Sequence, residues 1–408
     1  MADLDLNFVR SQFPAFAEPS LAGQAFFENA GGSYTCAPVI NRLTRFYHQR
    51  KVQPYGPYEA SRIAGDEMDA ARSGLAAWLG VEVDELSFGP STTQNTYVLA
   101  QAFRQFLSPG EAIVVTDQDH EANSGPWRRL AEDGIDIREW KMNPETGELK
   151  LEALEALLDE DVRLVCFPHC SNVVGQVNPV SDITAIAHAA GAFVCVDGVS
   201  YAPHGLPNVE TLGPDIYLFS AYKTYGPHQG IMVVRRALAD LLPNQGHFFN
   251  GDVRYKRFTP AGPDHAQVAA CTGMVEYFES LAAHHGAGAL DQGQRAGLVH
   301  DLMRAHEVAL MRPVLDWIKA KNNLRLLGPV DPVERAPTLA LALEDPPTDI
   351  AAALADCGIM AGASDFYAVR ALRALGIDPD RGVLRISFTH YTSPDEINHL
   401  LNALEDVL

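Results

Sequence analysis

The feature that most constrains the fold is an alternation through the middle of the chain. Short runs at 86–88, 112–115, 135–140, 164–167, 193–196, 216–220 and 231–234, mostly apolar and rich in β-branched residues, read as strands. Helical patterns at 93–106, 151–158 and 182–190 lie between them. Such alternation predicts βαβ units, a mostly parallel sheet flanked by helices and an α/β fold. After Gly286 the pattern changes to a long helical stretch over 289–321 and a loop with Pro329, Pro332 and Pro337. A strand over 338–343, a helix over 348–356 and a strand near 384–387 follow, and Ser393-Pro394-Asp395-Glu396 opens a final helix. The expected organisation is an N-terminal segment over 1–20, a large domain over 21–285 and a smaller C-terminal α+β domain over 286–408.

With 408 residues, the chain is long enough for two hydrophobic cores. A formal net charge of −21 leaves no basic stripe to neutralise phosphates, which excludes a nucleic-acid partner. The six cysteines form no CxxC pair and are read as reduced, buried thiols. The acidic start, MADLDLNFVRSQFPAF, lacks the apolar core of a signal peptide, and no run approaches the length of a membrane span. The expectation is a cytoplasmic protein with no membrane partner and no metal site.

Strand ends carry the chemistry, as is usual for ligand sites in such sheets. Lys223 follows the run 216–220 (IYLFS), and Asp197 ends the run 193–196. A strand–loop–strand unit brings an amine and a carboxylate to one sheet edge, an arrangement that suits pyridoxal 5′-phosphate. The lysine links to its aldehyde, and the carboxylate keeps its ring nitrogen protonated. Thr92 and Thr93 begin a helix after GPS (89–91) and read either as a phosphate site or as plain N-capping. His120, after the run 112–115, reads as a ring-stacking group or a capping residue. Asn172 reads as a donor to a ring oxygen or a turn residue. Ser220 and Tyr222 offer hydroxyls to a phosphate or pack at the strand end. Arg385 is a lone cation in an apolar strand, read as a clamp on a substrate carboxylate or one half of an internal salt bridge.

Together these motifs resemble the fold-type I pyridoxal-phosphate enzymes, and within them the class V aminotransferase family that includes cysteine desulfurases and selenocysteine lyases. The resemblance rests on VDGVSYAPHG (196–205) and SAYKTYGPHQG (220–230), supported by VTDQDHEANSGPW (115–127) and HCSNVVGQVNP (169–179). It runs from Phe27-Glu28-Asn29-Ala30-Gly31-Gly32 to the final helix. It implies that Lys223 carries the cofactor and moves the proton at the substrate Cα, and that Asp197 pairs with the ring nitrogen. It further implies that His120 stacks on the ring, that Asn172 contacts the ring hydroxyl, and that Thr92, Thr93 and Ser220 hold the phosphate. Arg385 is implied to bind the α-carboxylate, with Asn29 and Tyr367 on the substrate side, in a homodimer acting on a small amino acid.

Several positions depart from the family pattern. Ser200 stands where glutamine is usual three residues after the aspartate, and Tyr222 where histidine is usual before the lysine. Residues 261–265 (AGPDH) offer glycine where a threonine from the partner subunit is usual. No second substrate-side arginine is evident. The loop at 362–368 (GASDFYA) has no cysteine to accept sulfur, and Tyr367 stands about where that cysteine would be. The expected function is therefore a desulfurase-like lyase of small amino acids that lacks the persulfide cysteine. An aminotransferase or epimerase is the alternative, and a catalytically silent cofactor-binding protein is an alternative of another class.

Overall fold

In a computed structural model, which describes residues 3–408, the strands in chain order are β1 (Ala25–Phe26), β2 (Leu86–Gly89), β3 (Ala112–Thr116), β4 (Asp136–Trp140), β5 (Val162–Pro168), β6 (Phe193–Asp197), β7 (Ile216–Ser220), β8 (Gly230–Val234), β9 (Leu324–Leu326), β10 (Thr338–Leu343), β11 (Ile359–Met360), β12 (Gly362–Ser364) and β13 (Val383–Ser387). Seven of them form one sheet in the order β2-β8-β7-β6-β5-β3-β4. Only β8 runs against its neighbours; the other pairings are parallel. This is the mostly parallel sheet expected of a fold-type I pyridoxal-phosphate enzyme.

Side-chain alternation explains why the sheet is buried on both faces. Val114, Val165, Val194, Tyr217 and Val233 point into one apolar cluster, and Ile113, Leu164, Cys195, Ile216 and Met232 into another. A third cluster packs β10 and β13 against the helices Gln292–Lys319 and Pro394–Val407. Both helices open on capping boxes, Asp291 with Gln294 and Ser393 with Glu396. The four-stranded sheet has the order β12-β13-β10-β9, and β1 pairs in parallel with β11. Among the described residues, no helix is long and apolar enough to cross a membrane.

One buried cation stitches the loop after β5 to the C-terminal sheet. Arg335 is fully buried and donates to the carbonyls of Thr338 (2.6 Å), Val174 (3.4 Å), Leu327 (3.4 Å) and Pro329. The neighbouring backbone adds Ala336 N–H donating to Gly175 O at 2.9 Å and Val177 N–H donating to Glu334 O at 3.0 Å. Replacing Arg335 with methionine strands these acceptors and is expected to lower stability by about 3 kcal/mol or more. Denaturant unfolding of wild type and variant checks this; a change below about 1 kcal/mol would show that the carbonyls find other donors.

Candidate active site

The carboxyl ends of the parallel strands, and the opposing start of β8, place the chemistry along one edge. β2 runs into the helix Thr92–Phe106, β7 leads to Lys223, β6 ends on Asp197, β5 leads to Asn172 and β3 leads to His120. With the sheet order above, the strand bearing Lys223 lies between those bearing Thr92 and Asp197. One cavity of about 190 Å³ is lined by Thr92, Thr93, His120, Asn172, Asp197, Ser200, Ser220, Tyr222 and Lys223. Arg385, Asn29 and Tyr367 are not among its lining residues.

At one end lie hydroxyls and helix N–H groups. Ser91 caps the helix, its Oγ accepting from Gln94 N–H at 3.2 Å, so the threonines that follow are released from capping. Thr92 Oγ1 lies 2.8 Å from Ser220 Oγ. Gly230 is the register partner of both Gly89 and Ser220, and a Cβ there would lie 2.7 Å from Thr92 N. Its lack of a side chain lets the start of the helix meet the sheet edge. Free first-turn N–H groups and the helix dipole favour an anion at this point.

Asp197 is buried, and its Oδ1 accepts from Val199 N–H at 2.8 Å. Burial pushes its carboxyl up to about 6, against the pull of that N–H and of the Lys223 charge, so it is ionised at neutral pH. Lys223 is also buried. Burial brings its amine down to about 8, with repulsion from Arg385 adding and Asp197 opposing. His120 caps the helix Glu121–Arg128, its Nδ1 accepting from Ala122 N–H at 3.0 Å. Burial, then the charges of Lys223 and Arg385, lower it to about 3. The ring is neutral, and its hydrogen sits on Nε2.

The remaining expected residues take structural partners. Asn172 Nδ2 donates to Phe366 O at 2.9 Å, while its buried Oδ1 has no partner. Arg385 Nη2 meets Glu28 Oε1 at 2.6 Å, the salt bridge that the sequence left open as one of two readings. Asn29 Nδ2 donates to Ser387 O at 3.2 Å. Tyr367 is 71% exposed, with its ring 5.4 Å from that of His120. Phe366 and Tyr367 both have left-handed backbones (φ 51° and 56°), fixed by the bond from Asn172 and by Glu121 N–H donating to Tyr367 O at 2.9 Å. Sequence reasoning missed three neighbours: His228, stacked on Tyr222 at 4.9 Å, Cys170 in the cavity wall, and Glu28. The first two lie inside the quoted motifs SAYKTYGPHQG and HCSNVVGQVNP, which drew attention to Lys223 and Asn172 instead. Glu28 sits inside the FENAGG motif, but its partner is at the far end of the chain.

This donor set fits pyridoxal phosphate. Hydroxyls and N–H groups suit its phosphate, a desolvated amine suits its aldehyde, and a buried carboxylate suits its protonated ring nitrogen. Only the neutral amine attacks an aldehyde. With a value near 8, about a tenth of Lys223 is neutral at pH 7, far more than for an ordinary lysine. The rate at which cofactor-free protein captures pyridoxal phosphate is expected to rise through about pH 8 and then level off, as followed by absorbance after mixing. A rate still climbing at pH 10 would show an unperturbed amine.

Comparison with known proteins agrees with this chemistry. An aminotransferase-like protein, FGM3, of Gibberella zeae is 32% identical over 422 residues, spanning 100% of this chain and 99% of the relative. A cysteine desulfurase of Serratia proteamaculans is 31% identical, spanning 98% and 97%. The solved cysteine desulfurase of Thermococcus onnurineus shares the fold with a TM-score of 0.85 at 23% identity, covering 100% of this chain and 98% of that one. The family model for aminotransferase class-V matches residues 25–400. The chain therefore belongs to the class V aminotransferase family and is a pyridoxal-phosphate-dependent enzyme.

Proposed function

We propose that this enzyme is a lyase acting on a small amino acid and cleaving a Cβ–S or related bond without a persulfide-forming cysteine. The observation that carries the reading is the cavity edge that gathers Lys223, Asp197 and the Thr92–Ser220 hydroxyl pair, beside a 362–368 loop with no thiol. Cys170 does line the cavity, but burial holds its thiol up at about 12, so it offers no thiolate at neutral pH.

Pyridoxal phosphate supplies an electron sink for charge developing at the substrate Cα. Lys223 is the proposed attachment point and then the base that moves the Cα proton. Asp197 would hold negative charge at the heterocycle nitrogen, and Thr92, Thr93 and Ser220 would hold the phosphate, with Ser200 and Tyr222 in the same cavity wall. His120 would lie as a neutral ring against the cofactor face, and Asn172, whose Oδ1 is free, would accept from the ring hydroxyl. Arg385 and Asn29 are assigned to the substrate carboxylate side and Tyr367 to the mouth. The proposed division is a cofactor-binding unit over 21–285 and a smaller unit over 286–408, with 1–20 as an N-terminal segment. The six free thiols accord with a cytoplasmic setting. A homodimer is proposed from the family resemblance, and Phe248, 91% exposed, is a candidate contact.

Incubation with cysteine and S-substituted cysteines tests the reading. Release of sulfide or thiol with ammonia and pyruvate, without conversion of the cofactor to its amine form, is the expected result. No turnover of any β-substituted amino acid counts against it. The second reading, an aminotransferase or epimerase, draws support from Tyr367, a hydroxyl-bearing side chain beside His120, and from the whole-length likeness to the aminotransferase-like relative. Conversion of the cofactor to its amine form marks the first, and solvent deuterium at Cα without net loss marks the second.

A further inference from the structure

Two distant parts of the chain meet at Arg385. β13 carries Arg385 and Ser387 on one face, two residues apart. Glu28 pairs in parallel with Ser387: Ser387 N–H donates to Phe27 O at 2.7 Å and Asn29 N–H donates to Ser387 O at 3.3 Å. That register sets the Glu28 side chain alongside Arg385. In β12, Gly362 is the register partner of Arg385, and a Cβ there would lie 2.7 Å from Glu28 Oε2. The absent side chain is the space the carboxylate occupies.

The ion pair is incomplete. Arginine and carboxylate commonly meet through two parallel hydrogen bonds. Here Nη2 alone reaches Glu28, and Nη1 turns to Asn172 O at 3.3 Å. Arg385 Nε, Glu28 Oε2 and Asn172 Oδ1 are buried and have no partner. Arg385 itself is 3% exposed, with its guanidinium 3.7 Å from the centre of the Phe366 ring. The charges of Arg385 and Glu28 both act on Lys223, in opposite directions.

We propose that Glu28 is an internal carboxylate that competes with the substrate's α-carboxylate for Arg385, and thereby sets how tightly substrate carboxylates bind. The inference rests on Arg385 being the substrate-carboxylate site. An incoming carboxylate that takes Nε and Nη2 together satisfies the nitrogen that Glu28 leaves bare. Glu28 has a way out, because its side chain is 29% exposed while that of Arg385 is 4% exposed. Carboxylates then bind in proportion to the fraction of time Glu28 leaves the arginine free.

The test uses the holoenzyme and propionate, which carries the carboxylate and no amine, with binding read by calorimetry and by the cofactor's absorbance. Glu28→Gln removes the competing charge. Gly362→Ala evicts the carboxylate by contact and keeps the charge. For an arginine that Glu28 occupies about nine-tenths of the time, both variants are expected to bind propionate about 10-fold more tightly, and KM for a turned-over cysteine to fall similarly while kcat changes less. Unchanged or weaker propionate binding in both variants overturns the proposal and leaves the pair as a structural tie. If Glu28→Gln does not fold, Gly362→Ala decides alone. Arg385→Lys separates the two layers. Loss of propionate and amino-acid binding there, without tightening in the other variants, removes the role of Glu28 and keeps that of Arg385. Unchanged binding in Arg385→Lys removes the assignment of Arg385 itself.

Discussion

Replacing Lys223 with methionine is expected to end turnover and, below about pH 8, to make the cofactor-free protein more stable. Loss of the proposed proton-transfer role alone is worth about 10²–10⁴ in rate, and loss of the proposed covalent attachment adds to it. Borohydride reduction followed by peptide mass analysis is expected to find the cofactor at position 223 in the wild type and at no lysine in the variant. An adduct elsewhere would undo the assignment. The stability effect follows from the sign of the shift. Burial lowers the folded-state value to about 8, below the unfolded value, so the folded protein disfavours the charged amine. The penalty is full below about pH 8 and fades as pH rises toward the unfolded lysine value near 10.4. Methionine keeps the stem and removes the charge, so the gain reaches up to about 3 kcal/mol at neutral pH and is absent above about pH 10.5. Thermal or urea unfolding of the cofactor-free proteins across pH measures it; a gain that grows with pH would contradict desolvation of the charged amine as its cause.

Asp197→Asn is the second large expected effect. The amide keeps the shape and loses the charge proposed to face the ring nitrogen, so turnover is expected to fall by about 10²–10³, the scale of removing one preorganised electrostatic contact. Attachment at Lys223 is expected to survive, which separates this variant from the lysine one by mass analysis. The substitution also relieves Asp119, a buried carboxyl held well above its ordinary value by burial and then by the Asp197 charge. Asp119 is held by Thr116 Oγ1 at 3.0 Å and Asn123 Nδ2 at 3.1 Å, so it stays in place and its value moves down. Turnover within a few-fold of wild type would show that the ring nitrogen is not served by this carboxylate.

The seven strands of the large sheet lie within two residues of their sequence readings, because six are short apolar runs and β4 alternates Ile137 with charged residues, each with a local turn or helix on either side. The residues that gather in one cavity, Thr92, His120, Asn172, Asp197 and Lys223, stood out for a similar reason: all lie at or just after the ends of such strands. The reading was poorer where stability comes from distant contacts. β1, β9, β11 and β12 are two or three residues long and exist only through their pairing. The helices Ala37–Gln49 and Glu59–Leu79 went unread, although the second buries Leu75, Trp78 and Leu79. Arg385 shows the limit most plainly. A cation in an apolar strand demands a partner, but the strand cannot say whether that partner is a substrate or Glu28, whose position depends on how the early chain is laid against β13.

That placement has a consequence for biogenesis. Residues 25–29 lie between Met360 and Ser387, so the wall around Arg385 is assembled from segments 358 residues apart, as in the bond from Asn29 to Ser387. A ribosome must deliver every residue between these segments before this wall can close, and such long-range pairing is slow to form. A fragment beginning at residue 286 would therefore emerge with β11 and the end of β13 unpaired on that side, exposing a sticky edge instead of an independently folding unit.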